Sequence, residues 1–221
     1  MTRADTSPTA QQPEASTFHD PLAKGFPATH EGRALFWLAV VFSVFQIITA
    51  LHLVALPSIV VRGFHVGFLL ALTFPLIAVS RNSGALVKAI AWAMALAGFG
   101  VALYQFVEYV PLITRAGDPT TLDLVVGVVA LLTLFSAAWL IMGPALPIIC
   151  GLFLAYCLFG QYLPSPLNHR GYDFEQVIDH MAYGTEGIYG IPTLVSSTYI
   201  FLFILFGSFF ERAGMIKLFT D

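Results

Sequence analysis

The sequence predicts an all-α integral membrane protein with about six transmembrane helices and one short interfacial amphipathic helix. Composition is the first observation behind this. Hydrophobic residues are 57% of the 221-residue chain and charged residues 10%, with a mean hydropathy of +0.81, whereas a soluble domain carries ~25% charged residues. Length is the second. The apolar residues, 20 Phe among them, gather into several runs of about 20, enough for a helix rising ~1.5 Å per residue to cross ~30 Å of hydrocarbon. The third is the period. Runs of ~10 residues with alternating hydrophobicity are missing, which leaves helices rather than a barrel to satisfy the backbone in lipid.

Residues 1–32 are rich in Thr, Ser, Pro, Ala and Gln and have no apolar period, so they read as a flexible tail. The first apolar run begins near Ala34. It is too long for a cleaved signal peptide, and no small-residue cleavage site follows it, so it reads as a retained anchor. Spans are predicted at 34–55, 63–80, 85–107, 122–141, 144–161 and 191–210. Pro57, the Arg81–Gly84 turn and Gly143-Pro144 punctuate the short connections. In the loop 115–123, Thr120 with Asp123 three residues on forms a capping-box start for the fourth span. In 172–184, Asp173 is the expected N-cap, Gln176 the third helical residue and Gly184 the stop. Phe174, Val177, Ile178 and Met181 then share one face of that short helix, opposite Glu175, Gln176, Asp179 and His180, which predicts a helix lying in the interface.

The net charge of −3 and the lack of a Lys/Arg cluster argue against a nucleic-acid partner. In a six-span chain Arg3, Lys24, Arg33, Arg81, Lys88, Arg212 and Lys217 fall on one side and Arg62, Arg115 and Arg170 on the other. That excess predicts a cytoplasmic N-terminus.

The chemistry-bearing residues concentrate in and before the last span. On a regular helix Thr193, Ser197, Ile200, Ile204, Ser208 and Glu211 share one face with Ser196 and Gly207 alongside, and Phe201, Leu202, Leu205, Phe206 and Phe209 share the other. Small and hydroxylated faces let transmembrane helices approach and hydrogen-bond; the same residues also suit the lining of a polar pathway. Glu186 sits at the edge of the span, either as a cap favoured by the helix dipole or as a coupling carboxylate. Glu186, Gly187, Thr193, Ser196, Ser197 and Gly207 are therefore the candidate pathway or helix-packing residues. Cys150 and Cys157, seven apart in one helix, lie ~10 Å apart, beyond disulfide reach, and read as small core residues. His52 and His65, without carboxylate or cysteine company, make a poor metal site, and His169 and His180 read as solvated. A Walker loop, a dinucleotide fingerprint and a GxSxG elbow are absent, so nothing marks an enzyme.

Four stretches carry a resemblance: RGFHVGFLLALTFPLI (62–77), RAGDPTTLDLVVG (115–127), LPIICGLFLAYCLFGQYLPSPLNHRGYDFEQVIDH (146–180) and EGIYGIPTLVSSTYIFLFILFGSFFERAGMIKLFTD (186–221). Over residues 33–221 the chain resembles the fused membrane permease of tripartite ATP-independent periplasmic (TRAP) transporters, of the TAXI subtype. The resemblance implies a bacterial inner-membrane protein that takes a small organic solute, such as a carboxylate, from a periplasmic receptor and imports it on a sodium or proton gradient. It implies a tail (1–32), a four-helix small-subunit-like domain (33–141), a connecting and an interfacial helix (142–185), and the start of the large transport domain (186–221). Family members continue well past this point, so the resemblance further implies a chain that is inactive alone, whose ion and substrate sites belong to a remaining transport domain. The competing expectation is a non-transporting membrane scaffold.

Overall fold

The computed structural model describes residue 26 and residues 29–215. Helix α1 (His30–Ala50) starts where Thr29 caps it, its hydroxyl accepting the Gly32 N–H at 3.1 Å. The helix thus begins inside the expected tail and ends five residues before the expected limit; most of the remaining tail lies outside the described residues. Helix α2 (Ser58–Ser80) starts directly after Pro57, whose fixed φ suits a helix entrance. This earlier start moves Arg62 from the loop into the first turns of the helix. Helices α3 (Ala85–Val107), the short α4 (Tyr109–Thr114), α5 (Thr121–Met142) and α6 (Ala145–Phe159) follow, α6 running into a 3-10 turn at Gly160–Tyr162. After a loop comes α7 (Phe174–Ala182), then a continuous final stretch made of α8 (Ile191–Val195), a π-turn (Ser196–Ile200) and α9 (Phe201–Arg212). Six helical stretches are long and apolar enough to cross a membrane, and no strand occurs among the described residues. The chain is an all-α, multi-pass membrane protein.

The core is the α2–α3 pair, flanked by α1 and α5. Its closeness has a local cause. A Cβ on Gly67 would stand 2.7 Å from the Ala102 Cβ, and one on Gly98 2.9 Å from Leu70, so only glycine lets these backbones meet. Phe42 stacks on Phe68, and Phe68 meets Phe99 edge to face, linking α1, α2 and α3 with ring centroids 5.3 and 5.1 Å apart. Leu70, Phe74, Ala78, Ala91 and Ala137 tie α2, α3 and α5 at the other end.

Helix α7 lays Val177, Ile178 and Ala182 on α5, where Gly127 leaves room for Ile178. Phe174 departs from the expected apolar face and is exposed. Asp173 holds the N-cap position without making the capping bond, and Tyr183, not Gly184, is the C-cap.

The fifth and sixth spans are the least covered. Helix α6 touches α5 and α7, and the last stretch touches α1 and α2. Cys150 is consequently exposed and Cys157 half-buried, which corrects the expectation of core cysteines: their helix has few neighbours within the chain. His169 is also corrected. Half-buried, it donates from Nε2 to the Tyr156 carbonyl (2.9 Å), accepts the Gly171 N–H at Nδ1 (3.0 Å) and meets the Tyr156 ring edge-on.

Candidate functional site

The π-turn of the last span follows from its sequence. Ser197 Oγ and Thr198 Oγ1 both donate back to the Leu194 carbonyl, at 3.0 and 2.7 Å, competing with the backbone for that acceptor. The Phe201 N–H then reaches five residues back to the Ser196 carbonyl. A single π-turn of this kind inserts one residue into the helix.

The loosened turn is where three spans meet through polar groups. Gln46 of α1 donates both amide hydrogens from Nε2, one to the Ser197 carbonyl (2.8 Å) and one to His65 Nδ1 (2.9 Å). Since Nδ1 accepts, the hydrogen of the neutral ring is on Nε2, which donates to Ser196 Oγ at 3.1 Å. Gln46 is 1% exposed, His65 3% and Ser197 4%. Phe42 covers the group, its ring 5.4 Å from that of His65 and 5.2 Å from that of Phe201. Gln46 Oε1 has no partner among the described residues. The cluster is a neutral hydrogen-bond seat, buried at Gln46, His65 and Ser197 and half-buried at Ser196, that fixes the last span on α1 and α2.

Ser196 and Ser197 are thus brought together with Gln46, which sequence reasoning passes over, and with His65, which it reads only as half of a poor metal site. Gln46 could have been found as an isolated amide within an apolar run, which needs a buried partner. His65 was noticed only as a weak metal ligand; among the described residues no group of three His, Cys, Asp or Glu side chains is gathered as an ion site. The remaining candidates stand apart. Thr193 Oγ1 donates to the Ile188 carbonyl at 2.5 Å, bracing the entrance of α8. Gly187 allows a tight crossing: a Cβ there would lie 2.1 Å from the Met181 carbonyl oxygen, which accepts the Ile188 N–H. Glu186 is exposed in the turn before the span, and Gly190 is the N-cap, so the carboxylate does not cap the helix. Pro192 at the helix start places the entrance beyond Gly190, too far on for Glu186 to cap. Gly207 is exposed and meets nothing within 4 Å.

The expected faces of the last span also need correction beyond the π-turn. Phe201 and Leu205 turn inward and are half-buried, whereas Ile204 and Ser208 are exposed. The inserted residue rotates everything after it by ~100° relative to a regular helix.

A second polar group sits at the loop-rich end, which carries residues 51–57, 108–120 and 163–190. Asp123 is fully buried and closes the capping box: its Oδ2 accepts the Thr120 N–H at 2.8 Å and its own N–H donates to Thr120 Oγ1 at 3.3 Å. Arg115 donates to both carboxylate oxygens at 2.8 Å and to Glu108 at 3.2 Å, and Tyr104 donates to Oδ1. Hydrogen bonding to Asp123 pushes the Arg115 guanidinium further above its ordinary range, so it stays charged. Tyr183 donates to the Asp123 carbonyl at 2.6 Å, and burial raises its phenol well above the usual value. Asp179 of α7 accepts the Gly117 N–H at 3.0 Å. This group pins the loop 115–123 and α7 to α3 and α5.

Comparisons of the chain with protein-family models, with curated proteins and with solved structures find no match. The two polar groups do different mechanical tasks: one locks the loop-rich end of the four-helix core, and the other seats a separate span on it.

Proposed function

We propose that the chain is the membrane permease component of a binding-protein-dependent secondary transporter of TRAP type, importing a small organic solute, such as a carboxylate, on a sodium or proton gradient. The observation that carries this reading is the division of labour between spans. Helices α1, α2, α3 and α5 pack on one another as a four-helix unit, while the last span is attached to α1 and α2 by a buried polar seat and leaves its other sides uncovered. This supports the small-subunit-like scaffold and the early transport-domain helix that the sequence resemblance implies. The expected partners are a periplasmic solute receptor on the loop-rich end and further transport-domain helices beside the last span, in a bacterial inner membrane with the N-terminus in the cytoplasm.

The test is uptake by right-side-out membrane vesicles from the source organism, with and without the gene disrupted, using radiolabelled small carboxylates and the periplasmic extract. Loss of uptake that an ionophore also abolishes, restored by the intact gene, is the expected result. Uptake unaffected by the disruption across the carboxylate panel would favour the second reading, a non-transporting scaffold.

A further inference from the structure

Between α2, α3, α4 and α7 lies a cavity of about 310 Å³. Its walls are largely apolar or aromatic, with Ile59, Tyr109, Leu112 and Tyr183 among them, and its size is at the low end of the ~300–1,000 Å³ that small-molecule sites occupy. Gln105 is the one lining residue inside α3, so it marks the membrane end of the cavity. Gly63 makes room for its amide, since a Cβ there would collide with Gln105 Oε1. Gln105 is 3% exposed, yet Oε1 has no hydrogen-bond partner among the described residues. An amide oxygen withdrawn from water without a donor is costly, so its place beside a cavity points to a donor supplied from within that cavity.

Asp179 of α7 lines the same cavity at its loop end, where Oδ2 accepts the Gly117 N–H at 3.0 Å. Among the described residues no Lys, Arg or His nitrogen lies within 4 Å of this carboxylate. The cavity lining includes no Lys or Arg, its His180 is exposed, and the Tyr183 hydroxyl is committed to the Asp123 carbonyl. The cavity therefore offers acceptors at both ends, a carboxylate at one and an orphaned amide oxygen at the other, with two tyrosines beside them. That is the complement of a cation carrying a second hydrogen-bond donor, and the wrong chemistry for an anion.

We propose that this cavity binds a small organic amine, its ammonium on Asp179, its apolar body among Tyr109, Leu112 and Tyr183, and a hydroxyl or N–H at its far end donating to Gln105 Oε1. The site lies within the chain, and the proposal does not depend on the transport reading. The test uses the purified full chain in detergent, by calorimetric titration and thermal midpoint, with three probes: tyramine, phenethylamine, which lacks the far hydroxyl, and 3-(4-hydroxyphenyl)propionate, which has a carboxylate in place of the ammonium. Tyramine should bind saturably at one site per chain and raise the midpoint. Phenethylamine should bind about fivefold more weakly, the equivalent of one neutral hydrogen bond, and the propionate should not bind. Asp179→Asn keeps an acceptor for the Gly117 N–H but loses the charge, so tyramine should weaken about tenfold. Gln105→Met, unbranched and without the acceptor, should erase the difference between tyramine and phenethylamine. Should Gln105→Met fail to fold, Asp179→Asn and the propionate decide the matter. No saturable tyramine binding, equal binding of the propionate, an affinity unchanged in Asp179→Asn, or a tyramine preference that survives in Gln105→Met would each overturn the proposal.

Discussion

At the residue scale, the two buried polar groups respond differently to the loss of one member. The Asp123 carboxylate accepts five hydrogen bonds, from Tyr104 of α3 and from Arg115 and Thr120 of the loop before α5, so Asp123→Ala removes a helix cap and strands buried donors at once. It should cost about 2–3 kcal/mol, read as a lowered thermal midpoint in detergent. Glu108→Gln disturbs only the half-exposed edge of the same network, and its midpoint should stay close to that of the parent. In the seat, Gln46→Ala leaves the Ser197 carbonyl and His65 Nδ1 without their donor, a loss of ~1–2 kcal/mol inside a membrane. His65→Ala on that background should add less than it does alone, since the two side chains act through one bond chain; strictly additive midpoints would show that they act independently. The capping box was legible from Thr120 and Asp123 because its partners are three residues apart. The Gln46–His65–Ser196 chain was not, because its members are 19 and 131 residues apart and only the fold brings them together.

At the element scale, the limits of the spans were readable to within about five residues, because apolar runs and proline punctuation are local properties. Helix register was not readable through the π-turn, since it depends on two hydroxyls bonding one carbonyl, a competition that periodicity cannot see. This register can be tested. With Cys150 and Cys157 replaced by Ala, a cysteine pair at Phe42 and Phe201 should be bridged by a short bismaleimide, because the rings they replace are 5.2 Å apart; deleting Thr198 should abolish the cross-link by returning α9 to regular register. A persisting cross-link would mean that the turn does not set the orientation of α9. The α2–α3 contact makes an equally direct prediction. Gly98→Leu forces a side chain into Leu70 and should destabilise by about 1–3 kcal/mol, whereas Gly100→Leu, two residues on and facing open space, should not. Equal effects at both positions would point to helix propensity rather than packing.

At the scale of the whole molecule, six spans put both ends of the described chain on one side and the loops 51–57, 108–120 and 163–190 on the other. Fold class and span number were legible because bilayer thickness sets them; the number of neighbours around each span was not, since hydropathy does not distinguish a lipid-facing helix from one that meets protein. Cys150 and Cys157 show this: apolar surroundings in sequence read as a core, yet among the described residues their helix packs on one long neighbour, α5, and on the short α7. The proposed orientation rests on charge. Seven Lys and Arg residues fall with the chain ends and three with the opposite loops, and of the three, Arg115 is neutralised by Asp123 and Glu108 while Arg62 is turned to a backbone carbonyl and a hydroxyl. This asymmetry supports the proposed cytoplasmic placement of the chain ends. In a background free of Cys150 and Cys157, a cysteine at Asp118 should react with a membrane-impermeant maleimide in intact spheroplasts, and one at Ser83 only after lysis. Asp118 is exposed in the loop that the Asp123 network holds rigid, so its failure to react could not be put down to burial. Reaction at Ser83 and silence at Asp118 would instead invert the chain and put the loop-rich end in the wrong compartment for the proposed periplasmic receptor.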